Sequence, residues 1–298
     1  MELKQVQYFL KIVETGNFSA AADELYISQS SLSKQIMALE NELGFLLFDR
    51  SKRKISITPA GKTFLSHAQS LHSAYQNMLA DVAPYKTAPT LSIIAIPVIA
   101  QYKIAAHIAQ FKQAHPNVQL ALEEREAAAI LPAILNYQCD LAFLRDNYLD
   151  KTLYNYVEVA QDHFQVVLSR QHPQAGKSKL SLAELTNENF IMFDKGTIVH
   201  ELTVDACREA GFEPRIFYAS LRVESILGLV ASNSGVALMM KKIFDYHKHP
   251  DVVAIPLKET ISSNLVLAWL KQKKLSEAAT SFVDFIRNLS AQDAINHG

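Results

Sequence analysis

The sequence predicts an α/β chain that begins with a small, separate helical unit. Three observations predict it. Three short helical hydrophobic patterns follow one another within the first 43 residues, a longer heptad-like pattern starts after Pro59, and from Thr90 short apolar strands alternate with helices.

In chain order, Phe9, Ile12 and Val13 stand at i, i+3 and i+4 and define a first helix. Phe18-Ser19-Ala20-Ala21-Ala22-Asp23-Glu24-Leu25 reads as a second, with Ser19 as its N-cap and alanines small enough for close helix packing. Tyr26-Ile27-Ser28 is a short turn. A third helix, starting near Gln29-Ser30-Ser31, buries Leu32, Ile36, Leu39 and Leu43 on one face and leaves Ser30, Ser33, Lys34 and Gln35 on or near its outer N-terminal surface. Leu46-Leu47-Phe48-Asp49-Arg50 then leads through the basic residues Lys52, Arg53 and Lys54 to Ile55-Ser56-Ile57, an alternating hairpin strand. The arrangement is a helix-turn-helix followed by a wing.

Its chemistry suits duplex DNA. Serine, glutamine and lysine side chains hydrogen-bond base edges or phosphates, and a helix N-terminus adds N–H groups that favour phosphate. The expected contacts are Ser30, Ser31, Ser33, Lys34 and Gln35 on the third helix, Ser28 and Gln29 at its start, and Arg50, Lys52, Arg53 and Lys54 on the wing. The bland alternatives are the polar face of an ordinary amphipathic helix and a solvated charge run. The apolar framework around both segments, which makes a three-helix core, argues against them.

Thr58-Pro59-Ala60-Gly61 opens a long helix whose Phe64, Ala68, Leu71, Tyr75, Met78 and Val82 alternate four- and three-residue spacings. Such a seam predicts dimerisation, with a plain core helix as the alternative. Pro84-Tyr85-Lys86-Thr87-Ala88-Pro89 ends it and supplies a linker. Strands follow at Leu91–Ile96, Val118–Leu122 and Leu141–Leu144, interleaved with helices at Ile104–His115 and Ile130–Tyr137. A second α/β unit runs through strands Phe164–Leu168, Phe190–Phe193, Arg215–Tyr218 and Val236–Leu238 and helices Val199–Ala210 and Val223–Ala231. The alternation predicts parallel sheets with crossover helices. The strand Leu265–Trp269 and the helix Glu277–Arg287 return to the first unit, making two lobes with a cleft. The expected domains are 1–58, the winged helix-turn-helix; 59–89, linker helix and hinge; and 90–298, two-lobed, with lobe I at 90–161 and 266–298 and lobe II at 162–265.

Composition narrows the function class. The 298 residues are 49% hydrophobic and 20% charged, which suits a folded chain of about two domains. Net charge is −1, and within residues 1–60 seven basic residues balance seven acidic ones, so any positive field is local to Lys34 and the wing. The N-terminal residues lack the apolar core of a secretory signal, and no apolar run reaches membrane-spanning length, so a soluble cytoplasmic protein without a membrane partner is expected. Cys139 and Cys207 make no disulfide framework or metal spacing. No enzyme motif is present: His200-Glu201 is followed by Val204 where a zinc helix needs histidine, and no G-x-S-x-G or glycine-rich phosphate loop occurs. No cofactor is implied.

Together, Phe9-Leu10, Gly16 to Ala22, Leu25, Ser28 to Ser33, Ile36, Leu39-Glu40, Leu43-Gly44, Leu46 to Arg50 and Thr58 to Gly61 resemble the LysR-type transcriptional regulators. The resemblance continues more loosely through Phe111 to Pro116, Cys139 to Phe143 and Gly211 to Pro214. It implies a winged helix-turn-helix, a linker helix that pairs two chains, and a two-lobed effector domain like periplasmic binding proteins. It also implies homodimers or homotetramers on promoter DNA, a small-molecule inducer in the cleft, and contact with RNA polymerase. Three departures stand out. Asn233 occupies a position where many relatives have glycine, Met240 one where they often have proline, and the loop Pro97-Val98-Ile99-Ala100-Gln101 lacks the serine or threonine that often holds a ligand carboxylate.

In a two-lobed α/β unit the ligand lies at the carboxyl ends of strands. The candidates are Pro97, Val98, Ile99, Ala100 and Gln101, then Arg125, Arg145, Lys195 and Thr197. Arg145 is favoured, because guanidinium binds carboxylate or phosphate bidentately; a structural salt bridge to Asp146 or Asp162 is its alternative. Lys195-Gly196-Thr197 could instead cap a helix. The expected effector is a small anionic metabolite. The rivals are a thiol redox sensor using Cys207, which resembles the region of a resolving cysteine in peroxide-sensing relatives, and a two-lobed solute-binding protein.

Overall fold

The computed structural model describes residues 1–50, 55–82 and 89–297. The chain divides into two units, Met1–Thr87 with Gln272–Lys274 and Ala88–Lys271 with Leu275–Gly298.

In the first unit, α1 (Leu3–Thr15), α2 (Phe18–Glu24) and α3 (Gln29–Leu43) pack on Val6, Phe9, Ile12, Ala21, Ala22, Leu32, Ile36 and Leu39, all at most 1% exposed. The N-cap of α2 is Asn17, not Ser19. Asn17 is extended (φ −152°) and its side-chain oxygen accepts the Ser19 N–H, which places the helix start one residue before Ser19. β1 (Phe48–Asp49) and β2 (Ser56–Ile57) form an antiparallel pair, and Phe48 joins a ring cluster with Phe9 at 5.3 Å and Phe18 at 5.7 Å. α4 (Pro59–Val82) begins where Thr58 Oγ1 accepts the Gly61 N–H at 2.9 Å. Only glycine fits at 61, since a Cβ would lie 2.3 Å from the Leu47 carbonyl oxygen. Phe64, Leu65 and Ala68 tie the start of α4 to the helical core, whereas Leu71, Met78 and Val82 are 43%, 51% and 39% exposed.

The second unit has two lobes. Lobe I is a five-stranded sheet of β3 (Thr90–Ala95), β4 (Gln119–Glu124), β5 (Leu141–Arg145), β6 (Tyr154–Ala160) and β12 (Leu265–Leu270) in the order β4-β3-β5-β12-β6. α5 (Ile104–Ala114), α6 (Ala127–Leu135) and α10 (Glu277–His297) accompany it, with Phe282 of α10 edge-on to Phe111 at 4.9 Å. β3 runs parallel to β4 and β5, but β12 is antiparallel to β5 and β6. The sheet is therefore mixed rather than parallel, because β12 arrives by a crossover from the other lobe and runs against its neighbours.

Lobe II combines β7 (Phe164–Ser169), β10 (Ala237–Met240) and β11 (Val252–Pro256), all antiparallel in the order β10-β7-β11, with the parallel pair β8 (Asn189–Phe193) and β9 (Arg215–Ser220). The helices are α7 (Ile198–Glu209), α8 (Val223–Ala231) and α9 (Lys241–His247). Two segments cross between lobes, after β6 and before β12, and they pair through an antiparallel bridge between His163 and Ser262. Asn233 takes φ +57°, a left-handed geometry that asparagine tolerates better than most residues, so the turn after α8 keeps its shape without glycine. Among the described residues no helix is long and apolar enough to cross a membrane.

Candidate DNA interface and effector cavity

Ser28 caps α3. It is extended (φ −70°, ψ 143°) and its Oγ accepts the Ser31 N–H at 3.2 Å while lying 3.1 Å from Ser30 Oγ. Ser28, Gln29, Ser30, Ser31 and Lys34 are exposed, whereas Ser33 and Gln35 are half-buried. Gln35 Oε1 accepts from Gln5 Nε2 at 3.3 Å, which draws that side chain toward α1. At 3.6 residues per turn, the residues opposite Leu32, Ile36 and Leu39 are Ser30, Lys34, Met37 and Asn41. Met37 and Asn41 were not singled out from sequence, although their i+3 and i+7 spacing from Lys34 was legible.

Arg50 has a structural partner. Glu40, only 4% exposed, accepts the Leu47 and Phe48 N–H groups at 2.8 and 3.1 Å through Oε1 and Arg50 Nη2 at 2.8 Å through Oε2. The guanidinium also lies over the Phe18 ring at 5.2 Å. One carboxylate thus joins α3 to the base of the wing. Lys52, Arg53 and Lys54 lie outside the described residues.

Between the lobes is a cavity of about 150 Å³. Pro97, Val98 and Gln101 line it from the loop after β3, Arg145 from the end of β5 and Thr197 from the start of α7. Four other candidates do not. Ile99 turns into the core, Ala100 and Lys195 are exposed, and Arg125 donates to both Glu123 oxygens at 2.7 and 2.9 Å and to Gln138 at 2.7 Å. Sequence reasoning missed Ile96, Phe193, Leu221, Val223 and Ile243, which make the wall largely apolar, and Glu126, which adds a carboxylate to it. Glu126 and Val223 begin helices just after β4 and β9, so the strand-end rule could have found them.

Arg145 is 1% exposed. Its Nη1 donates to the Ser263 carbonyl at 2.9 Å, its Nη2 donates to the Tyr102 hydroxyl at 2.6 Å, and the guanidinium lies 4.8 Å from the Tyr102 ring centre. The Tyr102 hydroxyl donates in turn to Asp162, which also accepts the His163 N–H at 2.9 Å. Burial pushes the Tyr102 hydroxyl well above its ordinary value, with Arg145 opposing and Asp162 adding to the shift. Arg145 therefore reaches Asp162 through Tyr102 rather than directly. Asp146 is occupied elsewhere, by the Asn264 N–H and side-chain amide at 3.0 and 3.1 Å. Because Asp162 and Ser263 lie on the two crossovers, this chain of bonds spans the hinge beside the cavity.

Thr197 caps α7: its Oγ1 accepts the His200 N–H at 3.2 Å and donates to the Asp194 carbonyl at 2.8 Å. At the rim, Gln101 Nε2 is 3.2 Å from His247 Nε2, and His247 Nδ1 is 3.2 Å from Glu224 Oε1. Cys139 and Cys207 are buried and in no disulfide. Burial, aided by Glu213, pushes the Cys207 thiol up to about 12, opposite to what a reactive thiolate needs. Among the described residues no cluster of histidine, cysteine and carboxylates could hold a metal.

Residues 3–62 match the model described as the bacterial regulatory helix-turn-helix protein, lysR family, and residues 86–291 match the LysR substrate binding domain. The chain is 29% identical over 295 residues to the transcriptional dual regulator GltC of Bacillus subtilis (strain 168), covering 96% of each chain. It is 26% identical to a hydrogen peroxide-inducible genes activator of Haemophilus influenzae, covering 80% of each. Among solved structures it is similar to HinK, a LysR family transcriptional regulator from Pseudomonas aeruginosa, at 29% identity and a TM-score of 0.60, covering 96% of this chain and 98% of that one. With one family model matching each unit and relatives aligned over nearly the whole length, the chain belongs to the LysR family of transcriptional regulators, proteins that bind DNA and carry no enzymatic activity.

Proposed function

We propose that this regulator binds promoter DNA through α3 and the wing, as a homodimer or homotetramer paired along α4, and that a small anionic metabolite in the inter-lobe cavity adjusts that binding and the contact with RNA polymerase. One observation carries the ligand class. The Arg145 guanidinium, the N-terminal turns of α6 and α7 at Ala127 and Ile198, and one carboxylate, Glu126 at the N-cap of α6, line the same small cavity; the buried cation and two positive helix ends favour an anion against that single carboxylate. Two donated bonds leave further guanidinium N–H groups for a ligand oxygen. The apolar wall suits a compact hydrocarbon body behind the acidic group. Pairing along α4 is supported by Leu71 and Met78, exposed apolar residues seven apart on a 24-residue helix.

The test is a thermal-shift screen of the full chain against carboxylates, phosphates and neutral compounds of similar size. Anions alone should raise the melting temperature, and Thr197→Val and Gln101→Ala should reduce the shift. A response confined to neutral compounds would exclude the anionic class. The raised Cys207 thiol speaks against redox sensing.

A further inference from the structure

The outward face of α3 carries one large apolar side chain among polar and small ones. Ser30, Lys34 and Met37 follow at i, i+4 and i+7 on the side opposite Leu32, Ile36 and Leu39, and Met37 is 49% exposed. Met37 is absent from the hydrophobic cluster of this unit, so it is not one of the side chains that form that core. Gln35, the side chain best suited to hydrogen-bond a base, is half-buried and held by Gln5. The part of α3 that would reach base edges beyond the first turn therefore presents a flexible, polarisable hydrocarbon beside a lysine. The major groove offers one apolar feature, the 5-methyl group of thymine. An unbranched methionine adapts well to such a target.

We propose that Met37 is a specificity-determining residue that reads thymine methyl groups in the major groove. The proposal rests on α3 being the helix that enters the groove. Lys34 supplies phosphate attraction without sequence preference, and Met37 supplies preference without charge.

In vitro selection with the full-length chain first recovers a tight-binding duplex from random sequence. Each thymine in it is then replaced singly by deoxyuridine, which keeps base pairing and removes only the methyl group. Wild-type protein should lose about three- to fivefold in affinity at one or two positions, the amount expected for one buried methyl. Met37→Ala should bind thymine and uracil duplexes equally at those positions, with an unchanged melting temperature because the side chain is exposed. Met37→Leu should restore part of the discrimination. A full thymine-to-uracil ratio in Met37→Ala, or no uracil penalty anywhere in wild type, would overturn the proposal. Lys34→Ala separates it from the reading beneath it. Weaker binding to every duplex keeps α3 as the reader whatever Met37 does, whereas unchanged binding removes α3 from the groove and the proposal with it.

Discussion

Lys34 and Arg145 are both cations on functional surfaces, yet the two regions use them in opposite ways. Lys34 stands exposed on α3, while Arg145, 1% exposed, donates to the Ser263 carbonyl and to the Tyr102–Asp162 pair across the hinge. An exposed cation costs little to keep and awaits an anion from outside. A buried one must be satisfied from within, or its desolvation would destabilise the fold. Binding and stability should therefore separate cleanly at Lys34 and be mixed at Arg145.

The largest effect expected is at Arg145. Arg145→Ala should cost about 3 to 5 kcal/mol in denaturant unfolding, because it removes the buried cation beside the Tyr102–Asp162 pair and the donors to the Ser263 carbonyl and the Tyr102 hydroxyl; a loss below about 1 kcal/mol would show that the network does not hold the hinge together. Glu40→Ala comes next, at about 2 to 3 kcal/mol, since it leaves the Leu47 and Phe48 N–H groups without their acceptor and Arg50 without its ion-pair partner. It should also weaken DNA binding through the wing, although Glu40 itself is acidic and buried. Tyr102→Phe removes one hydroxyl from the hinge chain at unchanged shape and should cost about 1 to 2 kcal/mol. Lys34→Ala closes the series. Stability should stay within about 0.5 kcal/mol while affinity falls on all sequences and the slope of log affinity against log salt drops by about one. Any Lys34 variant that unfolds more easily but binds normally would erase the contrast.

Cys207 has a thiol pushed from 9.0 to about 12 by burial, so its protonated form is favoured in the folded chain. Its contribution to stability is complete below pH 9.0 and is lost as pH rises toward 12. Native protein should resist alkylation at about pH 8, below the ordinary thiol range, read by intact mass, and label at Cys207 only once unfolded; rapid labelling of the native chain would revive a redox role.

The helices around Phe9, Ile36 and Leu39 were readable because the 3.6-residue pattern is local, as were most strands of the lobes. β6, α9 and β11 were not read, since half-exposed strands such as Tyr154–Ala160 and short helices carry weak periodicity. The N-cap of α2 moved by two residues because Asn17 and Ser19 are both good caps and only backbone geometry chooses between them. Among effector candidates, Arg125 stood at a strand end as Arg145 did, although Arg145 was favoured. The neighbours of Arg125, Glu123 and Gln138, hold it outside the cavity lining, and Gln138 comes from a later turn.

The residues by themselves determined the helix-turn-helix, the long fourth helix and the alternation of strands and helices, because each is written in spacings that short-range physics enforces. Tertiary structure alone decided the direction of β12, the withdrawal of Gln35 toward Gln5, the bond between Glu40 and Arg50, and the burial of Arg145 against two crossovers. Each of those depends on groups distant in the chain arriving at one place, and a buried charge or amide takes the partner that packing brings to it rather than the one nearest in sequence.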